Sequence, residues 1–346
     1  MMAAKHTAFC LRAKPFGLRW GLTDAALAAQ SPPIQTRRMC RVLAYLGEPI
    51  VLENLLYKPD VSFVNQTHRA LRLHRLNLAG SGLLAWDARS EAPETPYEYR
   101  SERLAIYDRN LRALSKKIRA TALLAHLRGV AYDSRAIINE QNLHPFLFEG
   151  ARLSLAHNGQ LARFDEMKFE LLPHIAPELA SQIRGTTDSE WIYALVLSQL
   201  RDPYADHSAP EIGGAVIAAL RVLREVRHKL GIHTFSPMNL FLCDGDDLVA
   251  ACFTFDHGDY DGLGDDYHPP DEKALRIWYT TGCAYGLYDG EWRMQNAGSE
   301  AQSSIIASEP LTKDVSTWTM VPMQHLIYVR RTDGPKAIEL VPLSSI

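Results

Sequence analysis

The chain is 346 residues long and 47% apolar, with a formal charge of −3 and five cysteines; that is enough for a substantial buried core in one large domain or two ordinary ones. With no basic field and no Lys/Arg run beyond pairs such as Arg37–Arg38, nucleic acid is excluded as an expected partner, and with no apolar run near the ~18 residues of a span, so is a membrane. Cys10, Cys40, Cys243, Cys252 and Cys283 contain no Cys-x-x-Cys pair, so neither a disulfide framework nor a thiolate zinc site is expected, and a soluble protein of the reducing cytoplasm is.

Residues 1–39 stand apart. Lys5, Arg12, Lys14, Arg19, Arg37 and Arg38 against Asp24 give them a net +5, leaving −8 for the rest. A short basic stretch that lacks the apolar core of a secretory signal and is broken at Pro32–Pro33 reads as a leader, a propeptide or a mis-assigned start. Met39, directly before Cys40, favours a start at Met39, and one folded domain is expected over 40–346.

From Cys40 the pattern Cys-Arg-Val-Leu-Ala-Tyr-Leu-Gly predicts a strand closed by Gly47. About Leu52 to Leu76 has helical spacing, Gly80-Ser81-Gly82 leads into a short strand Leu83–Trp86, and Asp108 to Lys117 predicts a second helix. Thr121–Leu127 and Ala151–His157 are apolar runs of strand length that end in polar groups. Asp188 before Trp191, Ile192, Leu195 and Leu197 predicts an N-capped helix; Ile212, Val216, Ala219, Leu223, Val226 and Leu230 recur at steps of three and four until Gly231 stops the next. Strands are predicted at 238–243, 248–255, 275–281, 303–307, 326–330 and 338–341. Helices in the middle and strands at both ends point to a layered α+β fold. The acidic, glycine-rich insert 257–268 reads as a solvated loop; it lacks the glutamate that closes an EF-hand loop, and no metal is expected.

Four clusters carry chemistry: Met39-Cys40-Arg41, Ala125-His126-Leu127-Arg128-Gly129, Ala156-His157-Asn158-Gly159-Gln160-Leu161 and Gly185-Thr186-Thr187-Asp188-Ser189-Glu190. Singly, each has a plain reading: Asn158-Gly159 a turn, Arg128 a surface ion-pair residue, Asp188 a helix cap, Cys40 an inert core residue, His126 and His157 satisfied core histidines. Together they supply what hydrolysis of a glutamine amide requires, namely a nucleophile, donors for an oxyanion, a cation for the α-carboxylate and an anion for the α-ammonium. A thiol on a terminal residue has its own α-amino group, of unperturbed pKa about 8, as general base. Asn158 offers a side-chain amide, Gly159 a backbone N–H, Arg128 a carboxylate-matched fork and Asp188 a partner for an ammonium.

These motifs, in this order, resemble the class II glutamine amidotransferases: Met-Cys-Arg-x-x-Ala-Tyr-Leu-Gly at 39–47, Ala-His-x-Arg at 125–128, His-Pro-Phe at 144–146, Ala-His-Asn-Gly-Gln-Leu at 156–161, Gly-Thr-Thr-Asp-Ser-Glu at 185–190 and Ala-Ser-Glu-Pro-Leu at 307–311. The resemblance runs from Met39 nearly to the end and looks closest to stand-alone members, such as the glutathione-degradation amidotransferase subunit and the ergothioneine-pathway amidohydrolase. It implies an α+β fold, the four-layer αββα sandwich of N-terminal-nucleophile hydrolases. Cys40 is implied as nucleophile and base, Asn158 and Gly159 as the oxyanion pair, Arg128 and Asp188 as substrate ligands with His126 beside them, and no cofactor. The expected partner is glutamine or a γ-glutamyl small molecule, with a protein partner or a homo-oligomer left open. Two alternatives remain, an ammonia-supplying subunit of a separate synthase and a non-catalytic subunit whose Cys40 is blocked by the leader. Where relatives carry Asp-Gly-x-Gly this chain has Ala79-Gly80-Ser81-Gly82, which removes one polar contact.

Overall fold

Successive residues from Val42 to Leu46 alternate between two different apolar surroundings, and that alternation sets the architecture. The computed structural model describes residues 40–69, 76–130, 137–259, 272–295, 301–330, 338–343 and 346; the leader 1–39 and residues 260–268 of the acidic insert lie outside them. In chain order the elements are β1 (Arg41–Val51), α1 (Glu53–Leu56), β2 (Ser81–Trp86), β3 (Tyr97–Ser101), α2 (Arg109–Ser115), β4 (Arg119–Leu127), β5 (Ser154–Gly159), α3 (Phe164–Leu171), α4 (Pro177–Ala180), α5 (Asp188–Leu197) and α6 (Ala209–Lys229). There follow β6 (Ser236–Cys243), β7 (Asp247–Cys252), β8 (Thr254–Phe255), β9 (Trp278–Gly282), β10 (Ala284–Tyr288), β11 (Glu291–Gln295), β12 (Ser303–Ala307), β13 (Thr319–Met320), β14 (His325–Arg330) and β15 (Glu339–Pro342).

One antiparallel sheet has the order β13-β9-β12-β1-β4-β2-β3, with β1 at its centre; a second has the order β15-β14-β7-β6-β5, with β8 added to β6. Side chains of a strand alternate between faces. Leu43 and Tyr45 of β1 therefore join Leu123, Ala125 and Leu127 of β4 on one face, where Leu55, Leu56 and Leu111 of α1 and α2 cover them. Val42, Ala44 and Leu46 join Ala122 and Leu124 on the other face, against Ala156, Phe241, Leu248, Ala250, Ile327 and Val329 of the second sheet. The far face of that sheet, with Leu155, Leu240, Leu242, Val249 and Ala251, packs on Ile192, Leu195, Val216, Leu220 and Leu223 of α5 and α6. The result is the expected αββα sandwich of two antiparallel sheets between helical layers. Among the described residues no helix is long and apolar enough to cross a membrane.

Local chemistry explains the clearest elements. Asp108 caps α2 by accepting from the amides of Asn110 and Leu111 at 3.0 and 3.1 Å. Ser208 and Glu211 form a reciprocal capping box on α6, and Gly231, at φ +63, follows its end. The predicted helix over Leu52–Leu76 is corrected to α1 and a 3-10 turn at Val64–Thr67, with 70–75 outside the described residues. Pro59 follows α1, and beyond it the Val61 amide is bonded to Leu311 O at 3.1 Å. The hairpin β10–β11 was not expected; its turn, Asp289-Gly290, has φ of +54 and +83, the positive pair of a two-residue hairpin loop.

Leu124 is fully buried between the sheets, where neighbours on both sides limit collapse around a cavity. Leu124→Ala should lower the unfolding free energy by about 2–5 kcal/mol, measured by urea denaturation; a loss below about 0.5 kcal/mol, the range of surface substitutions, would contradict the placement of this layer.

Candidate active site

Cys40 stands immediately before β1, and two separate segments hold this end of the strand. Val42 and Ser308 exchange bonds, the Val42 amide to Ser308 Oγ and the Ser308 amide to Val42 O, each 3.0 Å. Arg41 donates to Cys40 O at 3.1 Å and pairs with Glu309 at 3.5 Å, both side chains nearly inaccessible. The Gly129 amide, just past β4, lies 3.4 Å from Cys40 Sγ as a donor. Burial pushes the thiol pKa up; the Gly129 N–H, then Arg128, then Arg41 oppose the rise, and Asp188 reinforces it. Arg128 and Asp188 thus both act on Cys40 from different elements. The Arg128 backbone is bracketed by the Ala79-Gly80 loop, receiving from Ala79 N at 3.0 Å and donating to Gly80 O at 2.9 Å, so the loop keeps this support without the family's Asp. The Arg128 guanidinium donates to Ile137 O at 2.8 Å.

Asp188 opens α5, and the expectation that it caps the helix is corrected: Thr187 occupies the N-cap position. The carboxylate serves the third cluster instead. Its Oδ2 accepts from the Leu161 amide at 2.7 Å, its Oδ1 from Ser189 Oγ at 3.1 Å, and Ser189 Oγ contacts His157 Nδ1 at 2.9 Å. The Leu161 amide, two residues past β5, thus takes the carboxylate in place of a helix-end amide.

His126 lies opposite Val42 in the register of β4 with β1. Its ring is 4.1 Å from that of His144, which in turn meets Phe146 edge-on at 4.6 Å. Neither ring nitrogen of either histidine has a hydrogen-bond partner of normal geometry. Burial, reinforced by Arg128, lowers the His126 pKa to about 3; burial, reinforced by His126, takes His144 well below its usual value; His157 falls by burial too, with Asp188 opposing. All three rings are therefore neutral at pH 7.

Asn158 and Gly159 end β5, the edge of the second sheet, so the turn reading of this pair is excluded. Gln160 donates to Pro237 O at 3.0 Å, while Gly159 lies opposite Met238. Bonded and non-bonded pairs alternate in an antiparallel ladder, so the Gly159 N–H points away from β6, off the sheet edge. A Cβ here would fall 2.0 Å from Pro237 O, which only glycine avoids. Asn158 is almost fully buried and its Oδ1 has no partner.

Residues 102–256 match the family described as glutamine amidotransferases class-II. Over that segment the chain is similar to a class II glutamine amidotransferase domain. The matched segment includes Arg128, Asn158, Gly159 and Asp188 and begins after Cys40. Over 313 residues the chain is 28% identical to the probable glutamine amidotransferase DUG3 of Saccharomyces cerevisiae, covering 85% of this chain and 82% of the relative. It also resembles the solved structure of a glutamine aminotransferase class-II domain protein from Silicibacter pomeroyi, with TM-score 0.52 and 21% identity over 88% of this chain and 99% of that one. The glutamine phosphoribosylpyrophosphate amidotransferase from B. subtilis has TM-score 0.53 at 16% identity, over 89% of this chain and 50% of its own. At such identities the two structures show the fold alone.

Several residues around Cys40 carried no role in the sequence reading. Gly129 presents its amide to the thiol, Ser308 and Glu309 anchor β1, and His144 stacks on His126. Asn142 bonds the Thr186 amide at 2.8 Å and holds the Gly185–Glu190 loop. Ser308, Glu309 and His144 lay within quoted motifs; Asn142 had no signal at all.

Because the folded state keeps these histidines neutral while the unfolded chain protonates them near pH 6.5, the unfolded state binds more protons below that pH. The stability tied to His126 is complete above about pH 6.5 and is lost as pH falls toward about 3, and that tied to His144 and His157 falls in the same direction. Urea unfolding between pH 7 and 5 should show this fall, and His126→Gln should make it shallower. Equal slopes in the two proteins would remove His126 as a cause.

Proposed function

We propose that the domain hydrolyses glutamine or a γ-glutamyl compound through a glutamyl-thioester on Cys40, once Cys40 is the first residue of the chain. The Cys40 sulfur attacks the side-chain amide carbon, its proton passing to the α-amine. The tetrahedral oxyanion accepts bonds from the Asn158 side-chain amide and the Gly159 N–H. The C–N bond then breaks, the α-ammonium returns the proton to the leaving nitrogen, and ammonia or the amine of a γ-glutamyl compound departs. Water, deprotonated by the same amine, hydrolyses the thioester and frees glutamate. Arg128 holds the substrate carboxylate and Asp188 its ammonium. The observation that carries the reading is the convergence of Arg128, Asp188 and the Gly129 amide on one thiol: among the described cysteines, Cys40 is the one that feels both a cation and an anion suited to the two ends of an amino acid.

Cys40→Ala should abolish glutamate release, with Cys40→Ser retaining at most slight activity, while the fold persists by circular dichroism. Arg128→Lys and Asp188→Asn should mainly raise KM, because each weakens a grip on the bound substrate. Asn158→Ala should lower kcat by about 10² to 10³, the usual loss for one oxyanion donor. An Asn158→Ala enzyme changed only in KM would remove Asn158 from that role.

An amide nitrogen is not basic, so a chain in which Met39 is still joined to Cys40 should be inert, whereas protein expressed from Met39 should lose the methionine and turn over glutamine. Its rate should rise through about pH 8 as the amine deprotonates. Steady-state assays paired with intact-mass measurement decide this: full activity in a homogeneous chain of 346 residues would end the terminal-amine mechanism.

A further inference from the structure

Past the end of β5 three consecutive backbone amides are each held by a different partner: Gln160 N by Pro237 O at 3.0 Å, Leu161 N by Asp188 Oδ2 at 2.7 Å and Ala162 N by Ser236 Oγ at 3.0 Å. The first two are a sheet bond and a substrate-binding side chain. The third leads away from the site. Ser236 is fully buried, and its hydroxyl is used to capacity: it donates to Thr234 O at 3.2 Å and accepts from Ala162 N and from Arg227 Nη1, the latter at 3.1 Å. Arg227 comes from the last turn of α6, and its side chain is wholly inaccessible. Its other terminal nitrogen donates to Thr234 O and, at 2.7 Å, to Asp256 Oδ2, and its guanidinium lies 5.0 Å from the Phe255 ring. Asp256 also pairs with Arg224.

Packing alone does not call for this arrangement, because burying a charge is costly and an apolar side chain of similar volume is often neutral or better. What an arginine adds is a rigid fork that fixes several acceptors at once. Here one of those acceptors, Ser236 Oγ, holds Ala162, three residues beyond Gly159. We propose that Arg227, acting through Ser236, is a positioning residue for Asn158 and Gly159: it sets the direction in which β5 ends, and with it the placement of the two oxyanion donors. The inference rests on the oxyanion role given to that pair under the proposed function. Donors of this kind work only when placed within about half an ångström, so slack in the 160–162 segment acts on the transition state and little on substrate capture.

The test measures kcat and KM for glutamine hydrolysis in Ser236→Ala, Arg227→Lys, Asn158→Ala and the double variant Ser236→Ala/Asn158→Ala, in the form of the enzyme that turns over glutamine. Alkylation of Cys40 by iodoacetamide is followed alongside, since it needs the thiol but no oxyanion donor. Ser236→Ala should lower kcat by about 10- to 100-fold, the scale of a misplacement near 1 Å, with KM within about twofold and the alkylation rate unchanged. Arg227→Lys, which keeps the charge but cannot bridge Ser236 and Asp256 together, should lower kcat in the same direction. In the Asn158→Ala background the serine substitution should cost less than in the parent, because one of the two donors it positions is gone and only the Gly159 N–H is left to misplace. An equal loss in both backgrounds, an unchanged kcat in Ser236→Ala, or a slowed alkylation would each overturn the positioning role. If Asn158→Ala itself left kcat intact, the oxyanion assignment would fall first, and the positioning role with it.

Discussion

The structure depends on the seam between two sheets that are each apolar on both faces. A strand such as β1, with Leu43 and Tyr45 on one side and Val42, Ala44 and Leu46 on the other, leaves no face for water. Such a strand is stable only in the middle of a sheet that is itself covered on both sides, and the helices cover only the outer faces. The sheets must therefore cover each other, and Ala44, Ala122, Ala156 and Ala250 are small enough to let them approach closely.

The seam changes character along its length, and the change makes the site. In its body β4 contributes Ala122 and Leu124 and β5 contributes Ala156; two residues further along, the same faces present His126 and Asn158. The register that places His126 against Val42 also brings the end of β4, with Arg128 and Gly129, beside Cys40. Polar chemistry is thus delivered to the rim of an apolar layer, where a low-dielectric wall strengthens the few charges present. Burial keeps the three histidines neutral, so no imidazolium adds its charge to that of Arg128.

Support for the rim comes from far along the chain. Ser308 and Glu309 anchor β1, Asn142 holds the Asp188 loop, and α6 reaches the end of β5 through Arg227 and Ser236. Ser308, Asn142 and Ser236 bond backbone amides close to the site residues, those of Val42, Thr186 and Ala162, and Glu309 pairs with the Arg41 side chain. That is how a strand terminus, otherwise prone to fray, acquires a defined direction. Asp188, in departing from its expected cap, likewise bonds a backbone amide at the rim, that of Leu161.

Legibility in the sequence followed the range of the interaction. Periodicity and caps are properties of neighbouring residues, so β1, β4, β5, α2 and α6 could be read directly, as could the four clusters and, from their order, the family. The stretch after Leu52 misled because helical spacing was cut short at Pro59 and Val61 is held by Leu311, a partner some 250 residues away in the chain. Cys40, Arg128, Asn158, Gly159 and Asp188 were nameable from composition and motif order. The arrangement around them was not, because the Gly129 donor to the thiol, the outward N–H of Gly159 and the bond from Leu161 to Asp188 exist only once two sheets and a helix are superposed. A sequence states which groups are available; a hydrogen bond also needs distance and direction, and those are set by packing between segments that do not know of one another until the core closes.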